Sequence, residues 1–197
     1  MSVTTGILLF PDAEELDFAG PWEVFTTAAM IVPDTRVVTI AEDIAPVRCA
    51  KGLRVLPDHR LADAPALDVL LVPGGQGTEP AIARTALVDW IRSVGARARW
   101  VTSVCSGAGL LHAAGFLHGR QATTHWVYRD TLRSRGDVTV LDGPRYVRDG
   151  NVVTSAGVSA GIDMALWLVG QIHGVEVARR TQHFIEYNPA PPYAAEV

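Results

Sequence analysis

The stretch Trp100-Val101-Thr102-Ser103-Val104-Cys105-Ser106-Gly107-Ala108-Gly109-Leu110-Leu111 constrains the fold more than any other. Its first half is apolar and β-branched, as a buried parallel strand requires. Small residues follow at once, and then a run of Ala and Leu suited to a helix. A strand that turns directly into a helix lifts the residue at the break above the C-terminal edge of the sheet. Cys105 is that residue, and Ser103 and Gly107 are the small neighbours that let the chain turn. The unpaired N–H groups of a helix starting near Ser106 would point back at the sulfur, favour thiolate over thiol and bind a developing negative charge. A free cysteine is commonly an inert core residue. Its position at a strand-to-helix switch favours a reactive thiol here.

A chain of 197 residues can bury a full core as one domain, residues 1–197. A net charge of −4 without a basic run argues against a nucleic-acid partner. The N-terminus, Met1-Ser2-Val3-Thr4-Thr5-Gly6, lacks the basic flank of a signal peptide, and no apolar run is long enough to cross a bilayer. Two cysteines far apart, neither in a CxxC, predict a reduced cytoplasmic protein with no membrane association and no metal site.

Gly6-Ile7-Leu8-Leu9-Phe10, Arg36-Val37-Val38-Thr39-Ile40 and Asp68-Val69-Leu70-Leu71-Val72 read as buried strands. In Leu16-Asp17-Phe18-Ala19-Gly20-Pro21-Trp22-Glu23-Val24-Phe25, Asp17 can cap a helix with Pro21 in its first turn. Phe18, Trp22 and Phe25 have helical spacing and are expected in the core. Pro46 to Pro57 alternates apolar and polar residues around Lys51-Gly52, which predicts a small hairpin holding a structural Cys49. Pro73-Gly74-Gly75-Gln76-Gly77 is either a tight turn or a loop that offers backbone N–H groups to a ligand. Leu87–Val94, Ile162–Ile172 and Val175–Tyr187 read as helices. His125 can be a base for the thiol or a hydrogen-bonded neighbour of the site, and His112 reads as packing.

Asp137–Leu141, Arg145–Asp149 and Asn151–Ser155 read as strands, the last two joined through Asp149-Gly150. Gly157-Val158-Ser159-Ala160-Gly161 then matches G-x-S-x-G at a second strand-to-helix junction. A serine hydrolase needs an acid and a histidine later in the chain, and Asp163 is too near to be that acid. Ser159 is explained more simply as a helix cap.

Alternating strands and helices predict an α/β fold, with a parallel sheet sandwiched by helices. Val72-Pro73-Gly74-Gly75, Thr102 to Ala108 and Gly115 to Trp126 resemble, in that order, the ThiJ/PfpI superfamily. Leu16 to Phe25 and the ending Ile185 to Tyr193 resemble its isonitrile hydratase branch. The resemblance covers almost the whole chain and implies the flavodoxin-like fold of class I glutamine amidotransferases. It implies Cys105 as nucleophile, Asp17 as the acid beside it, and the backbone N–H groups of Gly75 and Ser106 as donors of an oxyanion-type pocket. Thr124 and His125 fall in the supporting shell. Ser106 stands where Thr is frequent in that branch and His in protease-like members, which argues against a Cys-His peptidase.

The resemblance further implies hydration of an isonitrile to an N-substituted formamide through a thioimidate on Cys105, with no cofactor and with a small electrophile as substrate. A carboxyl group buried against the thiol should have a raised pKa. Glyoxalase or deglycase-like chemistry is the alternative enzyme reading. A non-enzymatic ligand or redox sensor is the other, by likeness to the sensing half of AraC-type regulators. The chain stops soon after its last helix, so such a sensor is expected to act through a separate partner. A homodimer with the site near its interface is implied as well.

Overall fold

Five apolar runs pair side by side because each carries enough Val, Ile and Leu to be buried on both faces. In the structure, a computed structural model that describes residues 2–190, these are β1 (Val3–Leu8), β2 (Thr35–Ala41), β6 (Val69–Val72), β7 (Trp100–Val104) and β11 (Val152–Ser155). They belong to a seven-stranded sheet in the order β10-β11-β7-β6-β1-β2-β5. Here β5 is His59–Arg60, parallel to β2, and β10 is Tyr146–Asp149, antiparallel to β11. The parallel strands thus follow the flavodoxin-like order, with the chain reversing direction across the sheet at β1 and β6.

Helix α1 (Glu15–Ile31) packs with α6 (Ala160–His173) and α7 (Val175–Phe184). A second group consists of α2 (Thr78–Ile82), α3 (Thr85–Gly95) and α4 (Gly107–Ala113). The core between them holds Ile7, Leu70, Leu71, Ile91, Leu110 and Leu168, all fully buried. The hairpin forms as β3 (Val47–Arg48) and β4 (Arg54–Val55), with Cys49 fully buried. Burial pushes the Cys49 thiol up to about 11, which suits an inert residue.

Several expectations are corrected. Helix α1 begins before Asp17, so Asp17 lies in its first turn and Pro21 in its interior, and Asp17 is not the cap. Trp22 is 43% exposed, whereas Phe18 and Phe25 are buried. The buried face of α1 runs through Asp17, Pro21, Val24 and Ala28, and Trp22 falls at its edge. The strand near Asp137–Leu141 forms as β9 (Val138–Val140), but it pairs with β8 (Arg120–Ala122) in a separate small sheet. Neither β5, β8, α2 nor α5 (Arg129–Ser134) stood out as an apolar run, and all are short. The last helix stops at Phe184, and a preceding break at Gly174 (φ +93°) separates it from α6. Of the C-terminal motif, Pro191, Pro192 and Tyr193 lie outside the described residues. Among the described residues, no helix is long and apolar enough to cross a membrane.

Candidate active site

At the C-terminal edge of the sheet, four strand ends converge, and each supplies one part of the site. The segment after β7 turns at Cys105, whose φ is +56°. A non-glycine residue rarely adopts this conformation, and the surroundings must hold it. Here the Cys105 N–H donates to the Ala156 carbonyl at 2.9 Å, and the Thr124 hydroxyl donates to the Cys105 carbonyl at 2.6 Å. Gly107 is required beyond the turn, since a Cβ there would lie 2.3 Å from the Val72 carbonyl oxygen.

The segment after β1 brings in Asp17, which is fully buried. The Gly74 N–H donates to its Oδ2 at 2.9 Å, while Oδ1 has no hydrogen-bond partner. The segment after β6 is the glycine loop. Its Gly75 has a φ of +122° and forms a bridge with Ala13, so the loop packs against the start of α1. The Gly75 N–H, expected as a free donor, instead donates to the Ser106 hydroxyl at 3.0 Å. That hydroxyl also pairs with Thr78 Oγ1 at 2.8 Å. The serine side chain therefore occupies the donor that the backbone would otherwise offer.

The segment after β11 contributes what sequence reasoning missed. Val158 has a φ of +46°, a conformation strongly disfavoured for a β-branched residue. Its backbone N–H, with the backbone N–H and hydroxyl of Ser106, interacts with the Cys105 sulfur and opposes the rise in its pKa. The G-x-S-x-G match marked this turn, but pointed to the wrong residue. Ser159 stands at the N-cap position of α6 as expected, but it is exposed and its side chain makes no capping hydrogen bond. Its hydroxyl accepts instead from Arg145 Nη2 at 3.2 Å, because that guanidinium also reaches Asp163 in the first turn of α6.

Burial pushes Asp17 up to about 7, and the Glu14 charge adds to this against the Gly74 N–H. Burial likewise pushes the Cys105 thiol up to about 12, and Asp17 adds to it. Two acids packed together oppose each other's ionisation, so losing one proton leaves a single negative charge to be placed on either group. Donors from Ser106 and Val158 favour that charge on sulfur, and the Gly74 N–H favours it on the carboxyl. The donors around the sulfur do not offset burial, which holds the thiol above its ordinary value, contrary to the expected thiolate.

A cavity of about 400 Å³ opens at the sulfur, lined also by Glu14, Gln76, His125, Val127 and Tyr128. His125 rests on Gly157, where a Cβ would lie 2.1 Å from its Cδ2. Its Nδ1 accepts from the Val127 N–H at 3.3 Å. Burial and the Arg129 charge hold its pKa below the usual value, so the ring stays neutral near pH 7. His112 bonds the Gly136 carbonyl at 2.9 Å through Nε2, away from this cavity. Among the described residues, no three His, Cys, Asp or Glu side chains group as a metal site. Chemically, the arrangement sets a thiol, a buried carboxyl and backbone donors beside a small cavity.

The DJ-1/PfpI family profile matches residues 4–171. Isonitrile hydratase of Pseudomonas putida is 45% identical over 193 residues, which span 98% of this chain and 82% of that protein. The HTH-type transcriptional regulator CdhR of Pseudomonas aeruginosa is 32% identical over 180 residues, 90% of this chain and 53% of the regulator. The crystal structure of a ThiJ/PfpI family protein from Pseudomonas syringae superposes with a TM-score of 0.92 at 34% identity, covering 100% of this chain and 80% of that one.

Proposed function

Because this chain belongs to the DJ-1/PfpI family, we propose that it hydrates an isonitrile to an N-substituted formamide, with Cys105 as nucleophile and Asp17 as acid and base. The observation that carries the reading is the fully buried Asp17 carboxyl beside the sulfur, with one oxygen unpartnered. The similarity to isonitrile hydratase supports an enzyme of this family and suggests a lyase.

The singly protonated pair supplies what the reaction consumes. The sulfur attacks the terminal carbon of R–N≡C, and Asp17 delivers the shared proton to that carbon. This gives the thioimidate R–N=CH–S–Cys105 and leaves Asp17 as carboxylate. Asp17 then takes a proton from water as the hydroxide adds to the thioimidate carbon, and returns it to nitrogen. Collapse expels the sulfur and frees R–NH–CHO, and the hydroxyl proton goes back to Asp17. Water supplies both hydrogens gained by the product, so the pair ends with the one proton it began with. The donors from Ser106 and Val158 stabilise the sulfur as its charge returns.

Purified protein is expected to consume aryl and alkyl isonitriles and to show a mass adduct on Cys105 during turnover. If a panel of isonitriles survives untouched while methylglyoxal is consumed, the glyoxalase-like alternative replaces this reading. The match to about half of CdhR favours a ligand sensor as the second reading. Ligand-induced thermal stabilisation without turnover is its signature. A homodimer in a reducing compartment belongs to the proposal too, and suits two free cysteines and an exposed Trp22 on α1. Sedimentation at twice the mass of the chain is the expected outcome.

A further inference from the structure

We propose that Tyr128, held by Glu79 and Arg135 against the backbone of α4, is the wall that decides which R groups reach Cys105. Tyr128 lines the same cavity as the sulfur. Its hydroxyl donates to Glu79 Oε1 and accepts from Arg135 Nη2 at 3.1 Å. The same Arg135 nitrogen bonds Glu79 Oε1 at 2.6 Å, which closes a three-membered clamp. A Cβ placed on Gly109 would lie 2.3 Å from the Tyr128 hydroxyl and 3.0 Å from Cζ. The ring is therefore seated directly on the helix that follows the nucleophile, and it has no room to retreat in that direction.

The clamp is also joined to the reacting end of the cavity. Glu79 follows Thr78, whose hydroxyl pairs with Ser106 beside the sulfur. Charge within the clamp is balanced between Glu79 and Arg135, and burial pushes the Tyr128 hydroxyl up to about 12, so the wall stays neutral. The neighbouring Val127 and Gln76 are exposed, and Val127 is 63% accessible. Side chains like these can rotate away from an incoming group, whereas a ring fixed by two partners and a helix backbone cannot. Rigid walls of this kind are where a pocket discriminates by size.

As a statement about substrate, this rests on the isonitrile reading; as a statement about access, it does not. The test uses alkylation of Cys105 in the whole protein, followed by intact and peptide mass, comparing iodoacetamide with the bulkier N-benzylmaleimide. In Tyr128→Ala the ratio of bulky to small rates should rise by ~10-fold or more. In Glu79→Gln, which keeps the ring but weakens its clamp, the ratio should rise by less. Tyr128→Leu, which also removes the ring but keeps an apolar side chain, carries the same test should the alanine variant not fold. An unchanged ratio, or equal acceleration of both reagents, overturns the proposal, because general loosening of the fold does not discriminate by size. With isonitriles, the kcat/KM ratio of large to small R groups should shift in the same sense. Absence of turnover with a shifted alkylation ratio would refute the substrate and leave the wall standing.

Discussion

At the ends of β7 and β11 the chain passes from strand to helix through a non-glycine residue in the left-handed region, Cys105 at φ +56° and Val158 at φ +46°. Both turns carry small residues and open a helix; the first carries the sulfur and the second brings a backbone N–H to it. They differ in which part of the strained residue faces the cavity chemistry. The first turn presents a side chain; the second presents a backbone N–H, and its serine stands one residue too late and points to Arg145. A sharp turn thus aims whatever occupies its left-handed position, and a sequence motif alone does not say whether side chain or amide will be used. Strain at both positions is offset by the burial and hydrogen bonds around them.

Substitutions at the two turns can break this comparison. The largest effect is expected for Cys105→Ala, which should lower isonitrile turnover by ~10³-fold or more. Steady-state rates check it, and retained activity would move the nucleophile elsewhere.

Asp17→Asn should lower turnover by ~10²-fold or more through loss of the mobile proton. It should also alter stability with a definite sign. The carboxyl holds its proton to about 7 in the folded state, against a reference value of 3.8. Between those values the folded chain keeps a proton the unfolded chain has released, so this group's contribution to stability falls as pH rises and levels off above about 7. Asp17→Asn removes that loss. It should be more stable than the native chain by about 2–4 kcal/mol at pH 8. The difference should vanish as pH falls below the reference value. Urea midpoints of the two proteins across this range are the measurement.

A smaller effect is expected at the second turn. Val158→Gly keeps the N–H and relieves the β-branched residue of its left-handed conformation, so it should stabilise the fold by ~1 kcal/mol. A lower melting temperature would mean that the valine side chain supports the turn more than its strain opposes it. The smallest effect belongs to Ser159→Ala, which loses one exposed bond to Arg145 and should change stability by no more than ~0.5 kcal/mol. Turnover should stay near the native rate, and its loss would reopen the serine reading of the second turn.

Much of this site was readable because the relevant signals are local. The shift from β-branched to small residues around Cys105, and the same shift near Gly157, mark both turns in the primary structure. Tyr128 carried no such mark, since what fixes its ring is the Gly109 backbone, Glu79 of α2 and Arg135 just beyond α5. The donor expected at Gly75 was not free, because a serine hydroxyl from another strand end reaches it. Trp22 matched the core spacing, but spacing does not say where the edge of a buried stripe falls.

The amino-acid order alone determined the alternation of strand and helix, and so the parallel sheet and the placing of Cys105 at its edge. These depend on residue size, branching and apolar period within short windows. Tertiary structure alone decided the shifted acidities at the site. The Asp17 carboxyl and the Cys105 sulfur come from separate strand ends, and both hold their protons more tightly than usual only because folding removes them from water and sets them side by side.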